Sequence, residues 1–186
     1  MNPLALGLGR LVASLEQVGI PYFVGGSLAS SAHGLARSTL DVDLVIQITQ
    51  PQCLLLAGDL GKEWYADTEL MRDALENGRA FNLVHLPTGY KFDIFPANTE
   101  FHRSQLTRAK NRRVPGAESV TCKVATAEDI LLAKLRWYRD GGEISDRQWS
   151  DIGGILEVNS NLDDTYLDHW AARLGVSDLL ARARME

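Results

Sequence analysis

Apolar residues recur at helical spacing as Leu4, Leu8, Leu11, Val12, Leu15 and Val18, and Gly19 closes the pattern. This predicts an amphipathic helix at the start of the chain. Residues 21–24 (PYFV) are a short apolar run ending at Gly25-Gly26 and read as a strand. Residues 27–33 have the pattern of one or two helical turns opened by Ser27, a good N-cap type. Residues 42–48 (VDLVIQI) are rich in β-branched side chains and predict another strand. Pro51 suits the first turn of the next helix. Asp67 or Thr68 can cap a helix that Asn77-Gly78 stops. Residues 80–86 (AFNLVHL) and 91–95 (KFDIF) flank PTGY, two apolar runs around a Pro/Gly turn, which is the mark of a β-hairpin. A further strand is expected at 120–124 (VTCKV), and helices at 127–139, about 145–158, 164–174 and 177–184.

The expected fold class is therefore α/β (α+β): a short mixed sheet within residues 20–124, flanked by helices, with a helical C-terminal third. Residues 1–125 would form the core, and 126–186 a helical extension packed on it as one compact unit. A length of 186 residues suits a single domain. With 45% hydrophobic and 23% charged residues, the chain can bury a sizeable core and still present a soluble surface. The formal net charge of −5 argues against a general affinity for nucleic acid or anionic membrane, although it leaves room for local basic patches. No apolar run reaches the length of a membrane span. The opening MNPLALGLGR lacks the basic segment of a signal peptide, so the cytoplasm is the expected compartment. Cys53 and Cys122 have neither metal-ligand spacing nor a disulfide framework and read as buried thiols; the four histidines show no metal spacing either.

The candidate chemistry lies in VGGSLASSAHGLARSTLDVDLVI, residues 24–46. Asp41 and Asp43 are two apart on an expected strand, so they leave the same face while Val42, Leu44 and Ile46 enter the core. Two adjacent carboxylates repel one another, and a divalent cation removes the repulsion. Mg²⁺ suits such a site because it takes a few carboxylate oxygens and keeps phosphates and waters as other ligands. Asp93, in KFDIF, offers a third strand-borne carboxylate; three of them could hold two ions for in-line displacement at phosphorus. Gly25-Gly26-Ser27 supplies the complementary half. Glycines at a strand-to-helix turn let backbone approach a ligand closely, and a helix N-terminus presents N–H groups to anions. Alone, the glycine–serine turn is an ordinary turn and the Asp-x-Asp an ordinary cap. Each gains meaning from the other's position.

These residues resemble a known pattern. Gly25-Gly26-Ser27 followed by Arg37-x-Thr39-x-Asp41-Val42-Asp43 is similar to the DNA polymerase β-like nucleotidyltransferase superfamily. Within it, His33-Gly34 and Arg37-Ser38-Thr39 resemble small bacterial nucleotidyltransferases related to the abortive-infection toxin type. The resemblance implies a short mixed sheet flanked by helices. It implies nucleotide contacts at Gly25, Gly26, Ser27, Arg37 and Thr39, and catalytic metal ligands Asp41, Asp43 and Asp93. A looser match, EDILLAKLRWYRDGGEISDRQWSD at 128–151, adds Lys134 and Asp151 to the nucleotide site, beside Arg147. Position 40 is Leu where relatives often carry a polar or basic residue.

The function expected is transfer of a nucleoside monophosphate from a nucleoside triphosphate to an acceptor hydroxyl, with Mg²⁺ as cofactor (two ions) and pyrophosphate as product. The acceptor is either RNA or a small molecule, and an antitoxin is a candidate protein partner. The alternative is a nucleotide-binding or partner-regulated module that transfers nothing. On spacing alone Lys134 is equally a snorkelling surface lysine, and Asp151 either bonds it or decorates an exposed helix face. Trp137, Trp149 and Trp170 read as core or interface anchors. The five basic residues of RSQLTRAKNRR, 103–113, read as a solvated loop or helix end, or as a track for nucleic-acid phosphates.

Overall fold

The computed structural model describes residues 2–34 and 41–185. Its first element, α1 (Pro3–Val18), begins where the Asn2 side chain accepts the Leu4 N–H at 2.9 Å and ends at Gly19, whose φ of 71° suits a residue without Cβ. The chain then runs through β1 (Tyr22–Val24), α2 (Gly26–His33), β2 (Asp41–Ile46), α3 (Gln50–Leu60), β3 (Trp64–Tyr65) and α4 (Thr68–Glu76). The hairpin β4 (Phe81–His85) and β5 (Tyr90–Pro96) follows, then α5 (Glu100–Arg108), β6 (Lys110–Val114) and β7 (Ala117–Val124). Four helices close the chain: α6 (Ala127–Asp140), α7 (Asp146–Val158), α8 (Asp164–Leu174) and α9 (Ser177–Ala183).

The strands form one mixed seven-stranded sheet in the order β3-β4-β5-β2-β1-β7-β6. β2 runs parallel to β5, and β1 parallel to β7; the other pairs are antiparallel. Strand alternation sorts the two faces. Val42, Leu44 and Ile46 of β2 and Phe92 and Ile94 of β5 are fully buried on one side. Each such side chain contributes roughly 1.5–3 kcal/mol. Helix α1 lies on this face. Gly7 permits its close approach, since a Cβ there would meet the Phe92 ring at 3.1 Å. Asp41, Asp43 and Val45 of β2 and Asp93 and Phe95 of β5 leave by the opposite face.

Side-chain caps set the C-terminal helices. Thr126, Ser145 and Asp163 each accept an N–H from the first turn of α6, α7 and α8. A buried polar node ties α5, α6 and α8 together. Asp129, fully buried, accepts hydrogen bonds from the Tyr166 hydroxyl at 2.6 Å and the Thr126 hydroxyl at 3.0 Å. The Arg108 guanidinium stacks 3.8 Å above the Tyr166 ring and pairs with Glu128 at 3.1 Å. Helix α2 meets α7 backbone to backbone: a Cβ on Gly34 would lie 3.1 Å from the Gly154 carbonyl carbon, and Asn159 donates to the His33 carbonyl at 2.6 Å.

The basic run therefore divides between a helix and an edge strand. Arg103 and Arg108 belong to α5, whereas Lys110, Arg112 and Arg113 lie on β6, the sheet's edge strand and three places from β2. Neither element has the apolar periodicity that would announce it. Phe101 and Gln105 are the buried residues of α5, and four of the five β6 residues are exposed.

Candidate active site

The site forms where β1, α2, β2 and β5 meet. Tyr22–Val24 pairs antiparallel with β2, which sets the Gly25 N–H 2.9 Å from the Asp43 carbonyl. The chain then turns sharply into α2. Gly25 is the N-cap, so the helix opens one residue earlier than expected and Ser27 lies inside its first turn. Gly26 has a φ of 54°, a conformation that favours glycine. A Cβ there would fall 1.7 Å from Asp43 Oδ2. The glycine is required by the carboxylate beside it. The Ser27 backbone N–H donates to that same carboxylate, aiming the positive end of α2 at it.

The parallel pairing of β2 with β5 places Asp43 directly opposite Asp93, and Asp41 opposite Lys91. The structure thus brings the three aspartates onto one face of two adjacent strands. Lys91 lies among them, with its ammonium 3.0 Å from Asp93 and 3.6 Å from Asp41. Its hydrogen bond to Asp93 raises the Lys91 pKa. Burial pushes the Asp43 carboxyl above the usual carboxylate range; the Asp93 charge adds to that push, and the Ser27 N–H opposes it.

These groups fit a hard divalent cation in donor chemistry, being carboxylate oxygens without thiol or imidazole. A lysine ammonium already stands between two of them, where positive charge is needed. Among the described residues, no three His, Cys, Asp or Glu side chains converge into a ready-made cage. Lys91 is well exposed and can swing outward.

Lys134 is not a surface lysine. It is buried on α6, with its ammonium 2.7 Å from Asp151 and 3.1 Å from Gln148, and its charge also reaches Asp43. Lys134 and Asp43, with Gly25 and Gly26, line one cavity of about 510 Å³. Asp151 holds the lysine in place from α7. His33, the last residue of α2, is buried, with a ring nitrogen 2.7 Å from the Ala125 carbonyl. Arg37 and Thr39 lie outside the described residues. Arg147 is exposed on α7.

Sequence reasoning missed the rest of the cavity wall. Phe23, Phe95, Phe101, Trp137 and Trp170 all line it. Trp137 is partly exposed and Trp170 largely buried, and both line the cavity. The signal available in the sequence was Trp137 standing beside Arg136, off the Ile130, Leu131, Leu135 and Tyr138 stripe. The register that sets Phe23 beside Val45 is non-local.

No protein-family model matches the chain, and no curated protein matches it either. Solved structures do. The antibiotic-resistance factor ANT(2'')-Ia superposes with a TM-score of 0.54 at 13% identity, covering 100% of this chain and 100% of that one. An antigenic nucleotidyltransferase-like protein from Paracoccidioides brasiliensis superposes with a TM-score of 0.54 at 21% identity, covering 97% of this chain and 91% of the other. At such identities the likeness concerns the backbone: this chain has the mixed-sheet nucleotidyltransferase fold, flanked by helices.

Proposed function

We propose that the protein is a metal-dependent nucleotidyltransferase that moves a nucleoside monophosphate from a nucleoside triphosphate to an acceptor hydroxyl. The observation that carries this reading is the register pairing of Asp43 with Asp93, one strand-turn away from a glycine turn packed against Asp43. The fold shared with ANT(2'')-Ia supports it.

In this reading Asp41, Asp43 and Asp93 hold Mg²⁺, which supplies charge neutralisation at the α-phosphate and a more acidic acceptor hydroxyl. The protein's own groups do the remainder. The first turn of α2, at Gly25-Gly26-Ser27, seats the triphosphate against its backbone N–H groups. Lys134, fixed by Asp151, faces the same cavity as Asp43 and offers positive charge to the nucleotide. Arg37 and Thr39 are assigned to the nucleotide by the sequence pattern. The acceptor oxygen bonds to the α-phosphorus, the α–β bridging bond breaks, and pyrophosphate leaves with the electron pair. Asp93 accepts the hydroxyl proton. The Lys134–Asp151 pair supports placing the protein near the toxin-type enzymes, where an antitoxin would be the regulating partner.

The test is incubation with each α-labelled triphosphate, Mg²⁺ and cell extract, with the Asp43→Asn protein as control. Label should enter an acceptor and pyrophosphate should accumulate with the native protein alone. No transfer with any of the four triphosphates would sink the reading.

The Lys91 contacts favour a second reading, a nucleotide-binding module whose carboxylates are already neutralised. The Lys91→Met protein separates the two. If the lysine only stands in for a cation, its loss raises Mg²⁺ affinity and transfer persists. A module of the second kind gains no transfer.

A further inference from the structure

The cavity beside Asp43 differs in character from a polar nucleotide groove. Its inner wall is aromatic: Phe101 stacks on Trp170 with centroids 5.0 Å apart, and Phe95 approaches Trp137 at 6.1 Å. Its charges are already matched within the protein. Arg173 pairs with Glu100, Arg136 with Asp140 at 2.9 Å, and Lys134 with Asp151. Two of its polar side chains are also committed, whereas His102 Nδ1 is buried without a hydrogen-bond partner among the described residues. Thr99 caps α5 by accepting the His102 N–H, and Gln105 donates to the Asp129 carbonyl. Burial holds the His102 imidazole below its usual pKa and therefore uncharged.

Such a wall discriminates by what it withholds. A nucleobase carries several donors and acceptors along its edge, and burying them without partners costs about 1–3 kcal/mol each. A polycation would meet Arg136, Arg173 and Lys134 with no uncommitted acid beyond Asp43. A volume of about 510 Å³ is suited to one small molecule and too small for a folded nucleic acid.

We infer that the aromatic end of this cavity, past the Gly25-Gly26-Lys134 end assigned to the triphosphate, seats the acceptor, and that the acceptor is a small hydroxyl-bearing molecule with an apolar ring or chain body and no net positive charge. The inference rests on the transferase reading for the word acceptor; the ligand class rests on the cavity wall alone.

The probes are 2-naphthol and its cationic counterpart 2-naphthylmethylammonium, titrated calorimetrically into the intact protein. The neutral probe should bind at least tenfold more tightly than the cation. Ala133→Trp, which projects into the cavity from α6, should weaken the neutral probe at least tenfold. Trp137→Ala, which removes part of the wall without filling space, should weaken it severalfold and serves if the larger substitution does not fold. Equal binding of the cation, or indifference to both substitutions, would overturn the ligand class. ATP and tripolyphosphate titrations identify the occupant. If Ala133→Trp weakens ATP but not tripolyphosphate, the cavity holds the base and the inference is wrong. Label transfer to RNA or to a polyamine acceptor that survives Ala133→Trp would also overturn it, while leaving the transferase reading intact. Binding of 2-naphthol as described, with no label transfer to any acceptor, would sink the transferase reading and leave the ligand class standing.

Discussion

Asp43 and Asp93 stand opposite one another on parallel neighbouring strands, and the α2 turn closes over the first of them. Asp43 is thereby half-buried beside a second carboxylate, and its pKa is raised chiefly by desolvation. A carboxyl whose folded pKa exceeds its unfolded value of about 3.8 destabilises the fold once it ionises. Without metal, stability should therefore fall as pH rises from about 4 through the raised folded pKa. Asp43→Asn should remove this slope, raise the melting temperature near neutrality, and abolish transfer. Thermal unfolding in chelator from pH 4 to 8 checks it. A less stable Asp43→Asn protein would contradict the argument.

Gly26→Ala should act through the carboxylate. Its Cβ would need the space that Asp43 Oδ2 occupies, 1.7 Å away, so Asp43 must turn aside. Divalent-ion affinity should then drop even when no nucleotide is present. A loss confined to triphosphate affinity would mean that the glycine serves the ligand and not the aspartate. Ser27→Ala keeps the N–H that bonds Asp43 and should cost about 0.5–1.5 kcal/mol of triphosphate affinity where its hydroxyl meets a phosphate oxygen.

Lys134→Met should be costly before any question of activity arises. It leaves the Asp151 carboxylate, nearly buried, without the ammonium that neutralises it. Breaking a buried pair from one side costs about 3–5 kcal/mol. The double variant Lys134→Met/Asp151→Leu should recover most of that in urea unfolding and recover none of the nucleotide transfer. Full transfer in the double variant would remove Lys134 from the site.

Tyr166→Phe tests the buried node far from the aspartates. Its hydroxyl donates to Asp129 at 2.6 Å, and burial raises the Asp129 pKa. Without that donor the fold should lose about 1–3 kcal/mol. Urea titration measures this directly, and Asp129→Asn in the same background should restore part of the loss.

The elements with strong periodicity were legible in the chain itself. Helix α1, the four C-terminal helices and the β4–β5 hairpin each have a buried stripe and recognisable terminal residues. The Gly25-Gly26-Ser27 and Asp41-x-Asp43 patterns, each local, name residues that the fold brings side by side. What escaped was set by tertiary pairing. Strand β6 exists through its backbone bonds to β7, with little apolar side to display. Helix α5 is anchored by Phe101 and by the Arg108–Tyr166 stack, a contact 58 positions apart in sequence and invisible to any window. Gly26 also has a second reason that no local pattern shows. Asp43, across the turn and 17 positions on, leaves no room for a Cβ there.

The edge formed by β6 has a consequence for how copies of the protein meet. Among the described residues this strand has a neighbour on one side, and Lys110, Arg112 and Arg113 are exposed along it. Two such edges approaching to form a shared sheet would place six positive charges on two backbones about 5 Å apart. At low ionic strength that repulsion keeps copies apart. Added salt shortens the screening length to about 3 Å at 1 M and removes the barrier. Self-association through β6 would thus strengthen with salt, opposite in sign to the attraction between basic residues and phosphate. Serine at these positions would leave a bare strand, open to addition by its own kind.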